Sequence, residues 1–368
     1  MFPAPLDEFP IHQAPMSMRY VATSDRNFYD RCYFNAHDRT GDIFLVTGLG
    51  VYPNLGVIDA YATVRKGDHQ WAIRCSDVLD DRTLDATVGP YRVEVQEPLQ
   101  RIRLVCDGAE HGIAFDLTWE GSFAAVMEPH HVMRTGPRAI LDASRFAQVG
   151  TWEGVLSVGG MEQPVSPDRW VGTRDRSWGI RPVGEAEPAG RNADEPLEGF
   201  WWLYVPLRFD DFAIVVIAQE LPDGFRTLND ATRVWGDGRV EQLGWPEVEI
   251  HYRSGTRHPE RAVLHLAGRG GKPFDVEVET SSSVVLHVGA GYGGDPDWSH
   301  GQWRGHGFVE GAGYDLNDPA IIARIPFGVI DHIGRATCEG AEGWGLFEHG
   351  TMGRHDPSGF ADWSSVAP

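Results

Sequence analysis

Tyr91-Arg92-Val93-Glu94-Val95-Gln96 alternates apolar and polar residues one by one. Side chains alternate in this way across a strand and not around a helix, so the pattern predicts a β-strand with one buried and one wet face. The same period of two recurs in Phe115-Asp116-Leu117-Thr118-Trp119-Glu120, Glu247-Val248-Glu249-Ile250-His251-Tyr252 and Asp275-Val276-Glu277-Val278-Glu279-Thr280. Ala213-Ile214-Val215-Val216-Ile217-Ala218 is apolar at every position, which predicts a central strand buried on both faces. The 44 glycines and 24 prolines are spread along the chain and interrupt it too often for long helices. One short helix is expected after Asn317-Asp318-Pro319, a capping residue followed by proline at the first helical position. These features predict an all-β protein built of antiparallel barrels or sandwiches, with few short helices.

The 368 residues exceed what one core usually organises, so two domains are expected. The boundary falls in the polar stretch Val183-Gly184-Glu185-Ala186-Glu187-Pro188-Ala189-Gly190-Arg191-Asn192-Ala193-Asp194-Glu195-Pro196, which divides the chain into residues 1–185 and 186–368. Gly343-Trp344-Gly345-Leu346-Phe347-Glu348-His349 still reads as strand. This final strand, near 343–350, is expected to complete a sheet and is a candidate to return to the N-terminal one.

Lys and Arg number 32 against 53 Asp and Glu, a formal charge of −21. Such a surface repels phosphate backbones and anionic headgroups, which argues against nucleic acid and membranes as partners. No apolar run approaches the roughly 20 residues that span a bilayer. The N-terminus, Met1-Phe2-Pro3-Ala4-Pro5-Leu6-Asp7, has neither the basic start nor the apolar core of a signal peptide. Cys32, Cys75, Cys106 and Cys338 form no Cys-x-x-Cys pair and fit reduced thiols. The expectation is a soluble, cytoplasmic protein, with its oligomeric state open.

Candidate chemistry concentrates in Gly172-Thr173-Arg174-Asp175-Arg176-Ser177-Trp178-Gly179-Ile180-Arg181-Pro182, next to the expected seam. If extended, Arg174, Arg176 and Trp178 point one way and Asp175 and Ser177 the other; if the glycines force a turn, all converge. Neighbouring arginines would keep Asp175 ionised, whereas burial in an apolar cleft would keep it protonated and able to act as an acid. The competing reading is an Arg–Asp network that ties the domains together. Gly199-Phe200-Trp201-Trp202-Leu203-Tyr204-Val205-Pro206 places aromatic rings on both faces of a strand. Such a wall suits a flat or polyene ligand, or is ordinary barrel core. Glu128-Pro129-His130-His131 offers histidines as proton carriers or ligands. His300, His306, His332, His349 and His355 enrich the C-terminal part, where a cupin-like metal site would need three of them beside Glu310 or Glu348. No tight His-x-His arrangement, Gly-x-Ser-x-Gly elbow or phosphate-binding glycine loop is present.

With these residues in hand, the chain resembles the superfamily of carotenoid 1,2-hydratase (hydroxyneurosporene synthase) and the AttH-like proteins, which also holds cyclases of the Diels–Alder type. The likeness is carried by Arg174-Asp175-Arg176-Ser177-Trp178-Gly179, where the hydratases show Asp-His-x-Trp-Gly, and by Gly345-Leu346-Phe347-Glu348-His349-Gly350 with Gly353-Arg354-His355-Asp356-Pro357-Ser358-Gly359-Phe360 behind it. The resemblance implies two lipocalin-like domains and proton-transfer chemistry on a lipophilic molecule, without metal or other cofactor. It implies Asp175 as catalytic acid and Trp178 as aromatic wall; Arg176 stands where the hydratases have histidine. The resulting expectation is a hydratase, dehydratase, isomerase or cyclase acting on a terpenoid, steroid or aromatic compound. Asp175, Tyr204 and His349 are its candidate catalytic groups, and Trp178, Trp201, Trp202, His130, His306 and Arg174 would bind substrate. A non-catalytic carrier of hydrophobic metabolites is the alternative, and a cupin-like metalloenzyme a weaker one.

Overall fold

The computed structural model describes residues 2–10, 17–188 and 198–368. Residues 189–197, within the expected linker, lie outside the described residues. Strands make up 57% of the chain and helix 6%, so the all-β expectation holds. Each alternating stretch forms a strand: Tyr91–Glu97, Ile113–Gly121, Glu247–Tyr252 and Pro273–Val285. Phe212–Glu220 is buried at every residue, as its uniformly apolar sequence predicts. The short helix Pro319–Ile322 follows its expected cap, Asp318, whose carboxylate accepts from the Ala320 amide at 2.8 Å.

The strands form two curled antiparallel sheets, each a half-barrel. The first runs from Phe308–Asp315 through His69–Val78, Val57–Lys66, Ile43–Tyr52, Phe28–His37, Val171–Ile180 and Arg138–Val158 to Ile113–Gly121, and on to an edge of shorter strands. The second places Gly199–Arg208 between Phe212–Glu220 and Ala341–Gly353, with Ile330–Cys338 and Pro273–Val285 beyond. The segment at 343–350 therefore does not return to the N-terminal sheet; it sits inside the second one. The strand that crosses is Phe308–Asp315, which pairs with His69–Val78.

Three apolar layers follow from these curls. One fills the first half-barrel around Phe34, Trp119 and Trp152, and another fills the second around Leu203, Val216 and Phe347. The third lies between the sheets and takes Tyr33, Phe44 and Tyr61 from the first and Trp202, Tyr204 and Leu286 from the second. Each large side chain buried here stabilises the fold by roughly 1.5–3 kcal/mol. Trp119 and Trp152 meet edge to face at 5.2 Å, worth about 1 kcal/mol beyond their buried area. Gly150 makes room for them: a Cβ there would lie 2.6 Å from the Trp119 ring. Because sheet stacks on sheet, the strands that face each other are apolar on both sides, and their alternation is masked in the sequence. Among the described residues, no helix is long and apolar enough to cross a membrane.

Candidate active site

Val171–Ile180 is extended, so its side chains alternate between two environments. Arg174 and Arg176 point into the first half-barrel. The Arg174 guanidinium donates to both carboxylate oxygens of Glu8 at 2.8 Å and to Gln148 at 2.9 Å. Arg176 donates to Asp30 at 2.6 and 3.1 Å and to the Glu8 carbonyl. Trp178 shares that face and meets the edge of Phe146 at 6.5 Å. Asp175 and Ser177 point the other way, into the space between the sheets.

Strand register assembles a row on each side of that space. On the first sheet, Tyr33 pairs with Asp175 and with Gly48, and Gly48 pairs with Tyr61. A Cβ at Gly48 would come within 3.0 Å of the Tyr61 ring, so glycine lets that ring lie across the strand. On the second sheet, Glu348 pairs with Asp331 on one side and with Tyr204 on the other. Between the rows lies a cavity of about 380 Å³. Its apolar lining includes Tyr61, Met133, Ile140, Phe200, Trp202, Leu286 and Val329, and its polar lining includes Asp175, Arg145 and Glu348.

The carboxyl groups here are perturbed in one direction. Burial pushes Asp175 up to about 6, against the opposing pull of the Arg145 guanidinium. Asp331 lies well above the usual carboxylate range, first through burial and then through the adjacent negative charge of Glu348; it accepts a 2.5 Å hydrogen bond from the Tyr33 hydroxyl. Glu348 is also raised by burial, and accepts from the Trp202 indole N–H. Two buried acids in contact cannot both ionise cheaply, so this pair retains a proton where free carboxylates have lost theirs. Glu128 rises to about 7 through burial, 3.3 Å from Arg145. The Arg145 guanidinium lies 5.2 Å from the Trp202 ring and 5.7 Å from the Tyr204 ring. The Tyr204 hydroxyl is buried with no hydrogen-bond partner among the described residues. Burial lowers His131 to about 4, so it faces the cavity as a neutral imidazole at neutral pH.

Of the residues singled out from the sequence, Asp175 and Trp202 line the cavity, and Tyr204 adjoins it. Trp201 and His349 lie one position out of phase and face the interior of the second half-barrel. His349 Nδ1 meets the Trp202 carbonyl at 2.7 Å, and its Nε2 meets the Tyr252 hydroxyl at 2.9 Å. Trp201 stacks on His355 at 5.6 Å. His130 is exposed and bonds Asp142 at 2.7 Å; its neighbour His131 takes the cavity side. His306 is exposed, 3.6 Å from Asp77. Arg174 is spent on Glu8. Residues the sequence did not single out include Tyr33, Arg145 and Asp331. Asp331 carried a signal, an acid inside the apolar run Val329-Ile330-Asp331-His332-Ile333. Among the described residues, no group of three or more His, Cys, Asp or Glu is placed to hold a metal ion.

The profile of a family of unknown function, DUF8625, matches residues 4–361, and the chain belongs to that family. No curated protein matches its sequence. Among solved structures it is similar to kievitone hydratase from Nectria haematococca, at 13% identity and a TM-score of 0.53, covering 99% of this chain and 94% of that one. A putative AttH from Nitrosomonas europaea is similar at 13% identity and a TM-score of 0.54, covering 89% of this chain and 94% of that one. CghA is similar at 12% identity and a TM-score of 0.50, covering 88% of both. At these identities the likeness establishes a shared fold.

Proposed function

We propose that this member of the DUF8625 family is an enzyme that adds a proton to an unsaturated lipophilic molecule in the cavity between its sheets. The resulting cation is then quenched by water, by proton loss or by ring closure. The observation that carries this reading is the pairing of Asp331 with Glu348 in one wall and the placement of Asp175 in the other, with an aromatic pocket between.

Glu348, which lines the cavity and shares its proton with Asp331, is the donor. Its proton goes to an alkene carbon or a carbonyl oxygen of the substrate. The cation that forms rests against the Trp202 face, an attraction worth about 2 kcal/mol or more when water is excluded. Asp175, ionised above about pH 6, faces the same cation from the opposite wall. In a hydration, water attacks the cation and gives its proton to Asp175; transfer of that proton back to Glu348 restores the site. If no water reaches the cation, Asp175 removes a carbon-bound proton instead, and the outcome is isomerisation or cyclisation. Positioned acid and base groups of this kind contribute roughly 100- to 10,000-fold each.

The fold shared with a hydratase supports this reading, as does the burial of Asp175 beside a cavity rather than in an ion pair. The test is a panel of isoprenoid alkenes, prenylated phenols and steroids incubated with the protein in D2O and analysed by mass spectrometry. A product with carbon-bound deuterium is expected from the native protein and not from Asp175→Asn or Glu348→Gln. Undiminished labelling by both variants would remove these residues from the chemistry, and ligand retention with no labelling by any protein would favour a carrier.

A further inference from the structure

Two guanidinium groups stand where the cavity meets an adjoining vestibule. Arg31 projects from Phe28–His37 on the cleft side and is 8% exposed. Its Cζ lies 5.5 Å from the Tyr29 ring and 5.2 Å from the Tyr292 ring. Arg181, just beyond Val171–Ile180, places its Cζ 5.5 Å from the same Tyr29 ring. Both side chains line the cavity and also an adjoining polar vestibule of about 710 Å³.

Neither has an ion pair among the described residues, which separates them from the other arginines nearby. Arg26 is held 3.5 Å from Glu187, and Arg138 pairs with the same carboxylate. Arg145 has Glu128. Asp175 is near enough to feel Arg31 and Arg181 but touches neither. Burying one unpaired cation costs several kcal/mol, and two neighbours repel each other besides. That repulsion registers on Arg181, whose pKa is lowered first by burial and then by Arg31. Around Arg31 the tyrosines, Tyr52 through a hydrogen bond to its hydroxyl, hold the charged form against burial, but their phenols are neutral at neutral pH and supply no counter-charge. Guanidinium groups are planar forks that fit a carboxylate or phosphate with two parallel hydrogen bonds.

We propose that Arg31 and Arg181 clamp an oxyanion head group, so that the substrate is an amphipathic acid whose apolar body fills the cavity. This rests on the cavity being the substrate site. The head fixed at the mouth sets the depth of the chain and brings its unsaturated end between Asp175 and Glu348. Arg31 and Arg181 are thus positioning residues for the reaction, and they set its specificity.

Four probes of one chain length test the clamp: farnesoic acid, farnesyl monophosphate, methyl farnesoate and farnesol. Binding is read by calorimetry and by quenching of the protein's tryptophan fluorescence. The acid or the phosphate is expected to bind at least about tenfold more tightly than the ester and the alcohol, as a charge-assisted fork requires. Whichever anion binds more tightly identifies the head as carboxylate or phosphate. Arg31→Gln and Arg181→Gln should each erase the preference while leaving the ester unaffected. Should Arg31→Gln fail to fold, half-buried Arg181 carries the test through Arg181→Gln and Arg181→Lys, the lysine retaining charge and part of the preference. Asp175→Asn should keep the preference, which separates the clamp from the proton chemistry. Equal binding of acid and ester, a preference that survives in every arginine variant, or no binding of any probe overturns the proposal. Deuterium incorporation into farnesol by the native protein would still leave the proton-transfer reading standing.

Discussion

Arg174 and Arg176 on one side of the first sheet, and Arg31 and Arg181 on the other, are the same residue type under opposite rules. The first pair is buried with Glu8 and Asp30, and its fork geometry is filled by protein oxygens. The second pair lies against tyrosine rings and has no carboxylate partner among the described residues. The first pair therefore belongs to the stability of the fold, tying the N-terminal segment into the first half-barrel. The second has no protein carboxylate to fill its forks, which leaves them to the proposed head group. The stretch from Gly172 to Pro182 that the sequence presents as one cluster of charge is split by a strand: Arg174 and Arg176 are paired inside the first half-barrel, whereas Asp175 and Arg181 line the cavity between the sheets.

The contrast makes predictions of graded size. Removing one member of a filled pair should hurt most. Glu8→Ala strands the Arg174 guanidinium and is expected to destabilise the protein by about 3–5 kcal/mol in urea unfolding, whereas Arg181→Gln should leave the midpoint unchanged or raise it. Equal losses in both would erase the distinction between the pairs. Next in size, Asp175→Asn and Glu348→Gln should each lower turnover about 100- to 10,000-fold while Trp178→Phe, on the structural face, changes it little.

A third effect is linked to pH. Folding raises Asp175 from its ordinary 3.8 to about 6, so the folded state holds that proton more tightly. The contribution is fully present below pH 3.8 and is lost as pH rises through about 6. Asp175→Asn keeps the neutral form at all pH values. Its thermal stability relative to the native protein should therefore grow between pH 4 and pH 7, by up to roughly 3 kcal/mol. A difference independent of pH would mean that Asp175 is not buried as an acid. The smallest expected effect is at the wall: Trp202→Leu should weaken ligand binding by about 1–2 kcal/mol, and Trp201→Leu should leave it unchanged at some loss of stability.

Much of the fold was legible because strands with one wet face, such as Ile113–Gly121, write their geometry into alternation. The cleft was not, because the sheets that meet there are buried on both sides. In Trp201-Trp202 and in Glu348-His349, two adjacent residues serve two different compartments, and their chemistry alone does not say which is which. Asp175 was identifiable from the pattern around it, though its arginine neighbours argued for the ionised form; those charges are spent on Glu8 and Asp30 across the strand. The Asp331–Glu348 contact depends on register between Ile330–Cys338 and Ala341–Gly353, and the nearness of Tyr33 depends on how one sheet stacks on the other. Neither relation has a local signature. The crossing of Phe308–Asp315 into the first sheet was likewise invisible, since nothing in an edge strand names its partner.

The proposed chemistry requires the Asp331–Glu348 pair to hold a proton at neutral pH. Infrared difference spectroscopy of the native protein against Asp331→Asn/Glu348→Gln, recorded at neutral pH, measures it directly. Expected is a protonated carboxyl carbonyl band in the native-minus-variant difference, shifted in D2O and additional to the Glu128 signal common to both proteins. A difference spectrum with no protonated carbonyl band would contradict it.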